Sequence, residues 1–279
     1  MPPIWRDMDL ATLDREYNAR ATVPDFDAEL RRYQKTSAHA RATLPHTANL
    51  IYDPASNNAL DWFPGHPGAP IFLWIHGGYW RALSKSDNAC IAPGLTSAGI
   101  HVAIIDYSLA PAVTLDTILH QVRTATTYVH TQAQSHGADP TRLYVGGSSA
   151  GAHLAAMLAS DPPAPIRGAI CLSGLYDLEP IRLSHINAWL NLDQPTAARL
   201  SPQNHIPKSP APTLLASVGG LETSEFKRQT HDYAAAWSAA GHRALLVPEP
   251  ARHHFDIVLS LGDPATSLCQ AAKDLMLEG

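Results

Sequence analysis

From residue 71 onward, short apolar runs alternate with longer stretches of helical period. The runs are Ile71–Ile75, His101–Ile105, Leu143–Val145, Gly168–Leu172, Thr213–Val218 and Ala244–Val247. Each is nearly continuous rather than alternating, the mark of a strand covered on both faces. Between them, Leu115, Ile118, Leu119, Val122, Ala125 and Val129 repeat at i, i+3, i+4 and i+7, a helix that Gly137 stops. Ser86–Ala98 reads as a crossover helix ending at Gly99, Ala150–Leu158 as a strong helix former, Ser224–Ala240 as a helix, and Pro264–Glu278 as a closing helix. Upstream, Asn49–Tyr52 and Ala59–Phe63 are shorter strand candidates, followed by the loop Pro64–Pro70. Residues from about Asp9 to Ala42 are polar and helical, broken at Val23-Pro24-Asp25, and make residues 1–45 an N-terminal helical extension. The alternation predicts an α/β fold with a mostly parallel central sheet flanked by helices, in a single domain over 1–279. Ligands then bind at the carboxyl ends of the strands.

Composition narrows the function classes. With 45% hydrophobic residues, the 279-residue chain has enough apolar side chains for a large core. A net charge of −5 gives no electrostatic basis for nucleic acid or an anionic membrane as partner. The expected partner is a small-molecule substrate, and a homodimer is the assembly to consider. Cys90, Cys171 and Cys269 are odd in number and unrelated in spacing, which suits reduced thiols. The N-terminus has no basic region leading into an apolar run, and no apolar run is long enough to span a bilayer, so a cytoplasmic protein is expected.

The chemistry concentrates at strand ends. After Leu143–Val145 comes Gly147-Ser148-Ser149-Ala150-Gly151, which fits G-x-S-x-G only with Ser149 at the centre. A nucleophile in a sharp strand-to-helix turn needs small residues on both sides, and the helix that follows aims free N–H groups at the site. Ile71–Ile75 runs into His76-Gly77-Gly78-Tyr79-Trp80. Here Gly78 and Tyr79, together with Ala150, are expected to donate backbone N–H groups to an oxyanion, while Gly77 permits the turn. His76 reads as structural. After Thr213–Val218, Glu222 stands at the loop tip where an acid belongs, with Glu225 and Asp177 as competitors. The loop after the last strand carries His253 and His254, either of which could serve as base. His76, His253 and His254 lack a ligand spacing with carboxylates, so no metal and no cofactor is expected. A non-catalytic binding protein would require one triad member to be missing, and all three are present.

Several stretches together resemble the α/β-hydrolase superfamily, and within it the arylformamidase group near the hormone-sensitive-lipase-like esterases. They are Glu16-Tyr-Asn18 with Val23-Pro-Asp25, His76–Trp80, Ser149–Leu154, Ser173–Leu178, Glu225-Phe with Arg228-Gln229, and His254-Phe-Asp-Ile-Val258. The resemblance favours His254 over His253, because the family's histidine precedes Phe. It departs from the family at Glu222, where Asp is usual, and at Arg81, where some relatives have Gln. It implies a serine hydrolase cleaving N-formyl-L-kynurenine to L-kynurenine and formate, with Ser149, Glu222 and His254 as triad. Tyr79, Trp80 and Tyr107 would wall the aryl leaving group, and the N-terminal helices would form a partial lid. Short-chain esters, or another amide, carbamate or lactone, would use the same machinery.

Overall fold

In the computed structural model, which describes residues 3–208 and 210–278, eight strands form one sheet. They are β1 (Thr47–Asp53), β2 (Asn58–Phe63), β3 (Ala69–Ile75), β4 (His101–Ile105), β5 (Ala138–Ser148), β6 (Ile166–Leu172), β7 (Thr213–Gly219) and β8 (Ala244–Glu249). The order across the sheet is β1-β2-β4-β3-β5-β6-β7-β8. β1 and β2 pair antiparallel, as do β2 and β4, while β3 to β8 are joined by parallel pairings. This is the α/β-hydrolase arrangement.

The continuous apolar runs follow from cover on both faces. Along β3, Ile71, Leu73 and Ile75 pack into the core on one side of the sheet, and Phe72 and Trp74 into the core on the other. Each such fully buried side chain contributes about 2 kcal/mol from apolar surface removed from water. The parallel register then fixes the site. Ile75 lies opposite Gly147, Ser148 opposite Leu172, Leu172 opposite Ser217, and Gly219 opposite Glu249. The segments that follow β3, β5, β6, β7 and β8 therefore emerge along one edge.

The crossover between β3 and β4 differs from expectation. Instead of one helix over 86–98 it has a helical turn Lys85–Asn88, a 3-10 turn Ala89–Ile91 and a short helix Ala92–Thr96. Pro93 lies in the first turn of that last piece, the one place where its missing N–H costs no helical bond. A further helix, Asp256–Gly262, precedes the closing helix Ser267–Glu278.

The N-terminal extension forms helices Leu10–Glu16 and Phe26–Thr43, the second capped by Asp25 at the expected break. It is tied to the helix Ser224–Ala239 at that helix's amino end. Thr223, the cap residue there, makes no side-chain cap bond. The Glu16 carboxylate does so in its place, accepting from Glu225 N (3.1 Å) and Ser224 Oγ (2.7 Å). A carboxylate suits that position because it meets free N–H groups and the positive end of the helix dipole. No helix among the described residues is long and apolar enough to cross a membrane.

Candidate active site

Ser149 begins the helix Ala150–Ser160 directly after β5, with φ 56° and ψ −118°. That region is sterically poor for a residue with a Cβ, so the surroundings must hold it. Ser149 N donates to Leu172 O (2.8 Å), and Ser149 O accepts from His153 N (3.0 Å). The flanking glycines have distinct reasons. A Cβ on Gly147 would stand 2.7 Å from Ile75 O and run into the Gly151 carbonyl. A Cβ on Gly151 would collide with Ile75 O and sit 2.6 Å from His76 O. Only hydrogen fits where this turn presses against the end of β3.

The loop after β3 takes three successive positive φ values, at Gly78 (97°), Tyr79 (49°) and Trp80 (58°). Gly77 has no room for a side chain, since its Cβ would lie 2.8 Å from Ser148 O and 3.4 Å from Ser149 Cβ. The loop thus lies directly against the serine turn. Tyr107 holds it there: its ring stacks on His76 at 4.2 Å, and its hydroxyl donates to His76 O (3.0 Å) and Gly77 O (3.3 Å). His76 is fully buried with Nδ1 against Gly77 O (2.9 Å), and burial pushes its pKa down, keeping the ring neutral.

Two expected substrate contacts are corrected here. Trp80 is fully buried and packs edge-on to His153 at 5.1 Å, and Tyr107 is spent bracing the loop. Neither is among the residues that line the cavity beside Ser149. The turn at Gly78–Trp80 directs Trp80 into the core, whereas Tyr79 stays at the cavity wall with its hydroxyl donating to Tyr17 O (2.6 Å).

The candidate acid and base meet across the β7 and β8 loops. His254 Nδ1 lies 2.6 Å from Glu222 Oε2. The other carboxylate oxygen, Oε1, accepts from Ser173 Oγ (2.6 Å) and Gly219 N (2.7 Å). The glutamate is folded back onto its own strand end, which absorbs the extra methylene. Gly219 makes room, since a Cβ there would stand 3.0 Å from Glu222 Oε1. The competitors are occupied elsewhere. Asp177 Oδ1 accepts from Glu179 N (3.0 Å), and burial raises its pKa. Glu225 is paired in bidentate fashion with Arg228 at 2.7 Å and accepts from Tyr17 Oη (2.8 Å). Burial would raise the Glu225 pKa, but the Arg228 and Tyr17 contacts outweigh it and hold the carboxyl below its ordinary value. His253 Nδ1 accepts from Phe255 N and Asp256 N, anchoring the next helix.

Ser149, Gly77, Gly78 and His254 open into one cavity of about 430 Å³. Its remaining wall comes largely from residues that sequence reasoning did not single out as contacts, among them Tyr17, Phe26, Tyr33 and Trp189. The first three belong to the N-terminal extension, and Tyr33 Oη donates to Phe255 O (2.7 Å), fixing that extension over the histidine loop. Ser173, which bonds the Glu222 carboxylate, is a further residue that local sequence pattern does not mark out. Its position directly after β6, on the edge that carries the serine and the acid, was the available signal. Among the described residues no cluster of three or more His, Cys, Asp or Glu could hold a metal ion.

The chain is 30% identical to the kynurenine formamidase of Danio rerio over 93% of its own length and 94% of that protein's. It is equally similar, at 30%, to the kynurenine formamidase of Salmo salar, over 98% of both. The chain belongs to the kynurenine formamidase family. A family profile, BD-FAE, matches residues 64–163, the span holding the loop after β3 and the serine turn. A crystal structure from Silicibacter sp. TM1040, of a protein named provisionally as a thioesterase, superposes with TM-score 0.80 at 27% identity, covering 95% of this chain and 98% of that one. This member of the kynurenine formamidase family is accordingly an α/β-hydrolase enzyme, a serine hydrolase of a formamide or an ester.

Proposed function

We propose that this enzyme hydrolyses N-formyl-L-kynurenine to L-kynurenine and formate through a formyl-enzyme on Ser149. The observation that carries the reading is the Glu222 Oε2–His254 Nδ1 bond of 2.6 Å, with His254 and Ser149 facing the same cavity. With Nδ1 held by the carboxylate, His254 Nε2 is the nitrogen left to accept the Ser149 proton. Ser149 Oγ attacks the formyl carbon, and the charge that develops on the formyl oxygen falls to the N–H groups of Gly78, Tyr79 and Ala150. One such donor contributes about 3 kcal/mol of transition-state stabilisation. Collapse breaks the C–N bond, and His254 returns the proton to the departing aniline nitrogen. Water, activated by His254, then attacks the formyl ester and releases formate.

A formyl group needs little space on the acyl side, which suits a serine turn pressed tightly by Gly77. The aryl side of the cavity has Tyr17, Phe26, Tyr79 and Trp189 to receive an aminobenzoyl ring. A fluorophosphonate probe followed by peptide mass mapping tests the nucleophile. The adduct is expected on Ser149, and an adduct on another residue would remove the basis of the mechanism.

A further inference from the structure

We propose that Arg81 and Arg20 form an anion clamp at the cavity mouth, taking a carboxylate carried by the leaving-group part of the substrate. The choice of leaving group rests on the formamidase reading above, whereas the clamp rests on the two arginines themselves. Both line the cavity that holds Ser149. Arg81 lies over the Trp189 ring with its guanidinium carbon 4.3 Å from the centroid, and Arg20 lies over Phe26 at the same distance. Among the described residues neither has a carboxylate partner. Arg182, Arg199 and Arg228, in contrast, are each bidentate on an acid. A guanidinium stacked on an aromatic face is held in place while its in-plane N–H fork stays free, the geometry that receives a carboxylate.

The aromatic supports are themselves fixed. Trp189 Nε1 donates to Tyr79 O (3.1 Å), and Phe26 packs edge-on to Phe255 at 5.2 Å, next to His254. The two cations are also tied to the reacting centre. Arg81 N donates to Gly78 O (3.0 Å) within the oxyanion loop, and Tyr79 Oη donates to Tyr17 O, which fastens the segment bearing Arg20 to the same loop. Asp87 is the only carboxylate among the described lining residues, and its oxygens accept from Ser84 Oγ (2.8 Å) and Gln34 Nε2 (3.4 Å). The positive charge at the mouth is therefore left for a ligand. N-formyl-L-kynurenine carries an α-carboxylate on its leaving-group side, the place this clamp would hold.

The test uses two matched pairs of substrates. One is 3-(2-formamidophenyl)propanoate with its neutral methylamide, and the other is 3-(2-acetoxyphenyl)propanoate with its methylamide. The clamp predicts that the wild type prefers the anionic member of each pair, and that added salt raises KM for that member selectively. In Arg81→Gln, and separately in Arg20→Gln, the ratio of kcat/KM between anionic and neutral members is expected to fall about ten- to a hundredfold, the worth of a charge-assisted hydrogen bond. Equal losses on both members, or no anionic preference in the wild type, would overturn the clamp. Discrimination on the acetates with no cleavage of either formanilide would leave the clamp standing and defeat the formamidase reading. Cleavage of the formanilides without discrimination would do the reverse.

Discussion

Glu222 presents one carboxylate oxygen to His254 Nδ1 at 2.6 Å while its other oxygen accepts from Ser173 Oγ and Gly219 N. The carboxylate is therefore oriented in the free protein, and in the proposed mechanism its charge faces the ring that becomes cationic in the transition state. Glu222→Gln keeps the shape but puts an amide where the charge was. It is expected to lower kcat about a thousandfold or more with little change in KM. Glu225→Gln, at a carboxylate that bonds Arg228 and Tyr17 rather than His254, should stay within about tenfold of wild type. Steady-state kinetics of the two proteins side by side decide this, and the opposite ranking would reassign the acid.

Glycine at 151 is a packing requirement. Gly151→Ala drives a methyl group into the Ile75 carbonyl and is expected to cost about 3 kcal/mol of stability, or to prevent folding. Gly68, with φ 74° and open space where its Cβ would go, supplies the contrast. There an alanine should cost only about 1 kcal/mol, from backbone strain alone. Urea denaturation midpoints separate the two, and similar midpoints would contradict the reading.

The N-terminal extension is anchored on Glu225, which accepts from Tyr17 Oη and Trp5 Nε1 and pairs with Arg228. Its pKa is held below the ordinary glutamate value of 4.5, so the folded state binds fewer protons there than the unfolded chain. The stability this gives is fully present above about pH 4.5 and is lost as pH falls through the lowered folded-state value. The difference in Tm between wild type and Glu225→Gln should be widest near neutral pH and shrink under acid. A gap independent of pH would show that the charge is not what matters.

Burial pushes the Cys90 and Cys171 thiols up to about 12 and Cys269 up to about 11. At pH 8 all three are protonated, buried and poor nucleophiles. Iodoacetamide treatment of the native enzyme is expected to leave activity intact, and inactivation in step with modification of any one cysteine would point to a different nucleophile.

The sheet was legible because its parallel strands are covered on both faces, so each reads as an unbroken apolar run; His101–Ile105 matches β4 residue for residue. The strand ends also carried the candidate residues in chain order, and the parallel register brings them to one edge. What the sequence did not reveal depends on side-chain direction and on contacts between distant segments. Trp80 is next to Tyr79 in the chain, yet one enters the core and the other stays at the cavity, because three positive φ angles set their directions. Tyr17 and Glu225 are 208 residues apart, and no local pattern announces their bond. The turns between Glu179 and His205 are each six residues or fewer, too short to leave a helical period, and Trp189 reaches the cavity from among them.

The central claim is a serine-centred formamide hydrolysis, and kcat/KM on N-formyl-L-kynurenine beside p-nitrophenyl acetate tests it, with Ser149→Ala as the comparison. The account predicts clear preference for the formamide and loss of about ten-thousandfold in Ser149→Ala, with the folded structure retained. Efficient ester turnover with negligible formamide cleavage, or a Ser149→Ala protein within about a thousandfold of wild type, would contradict it.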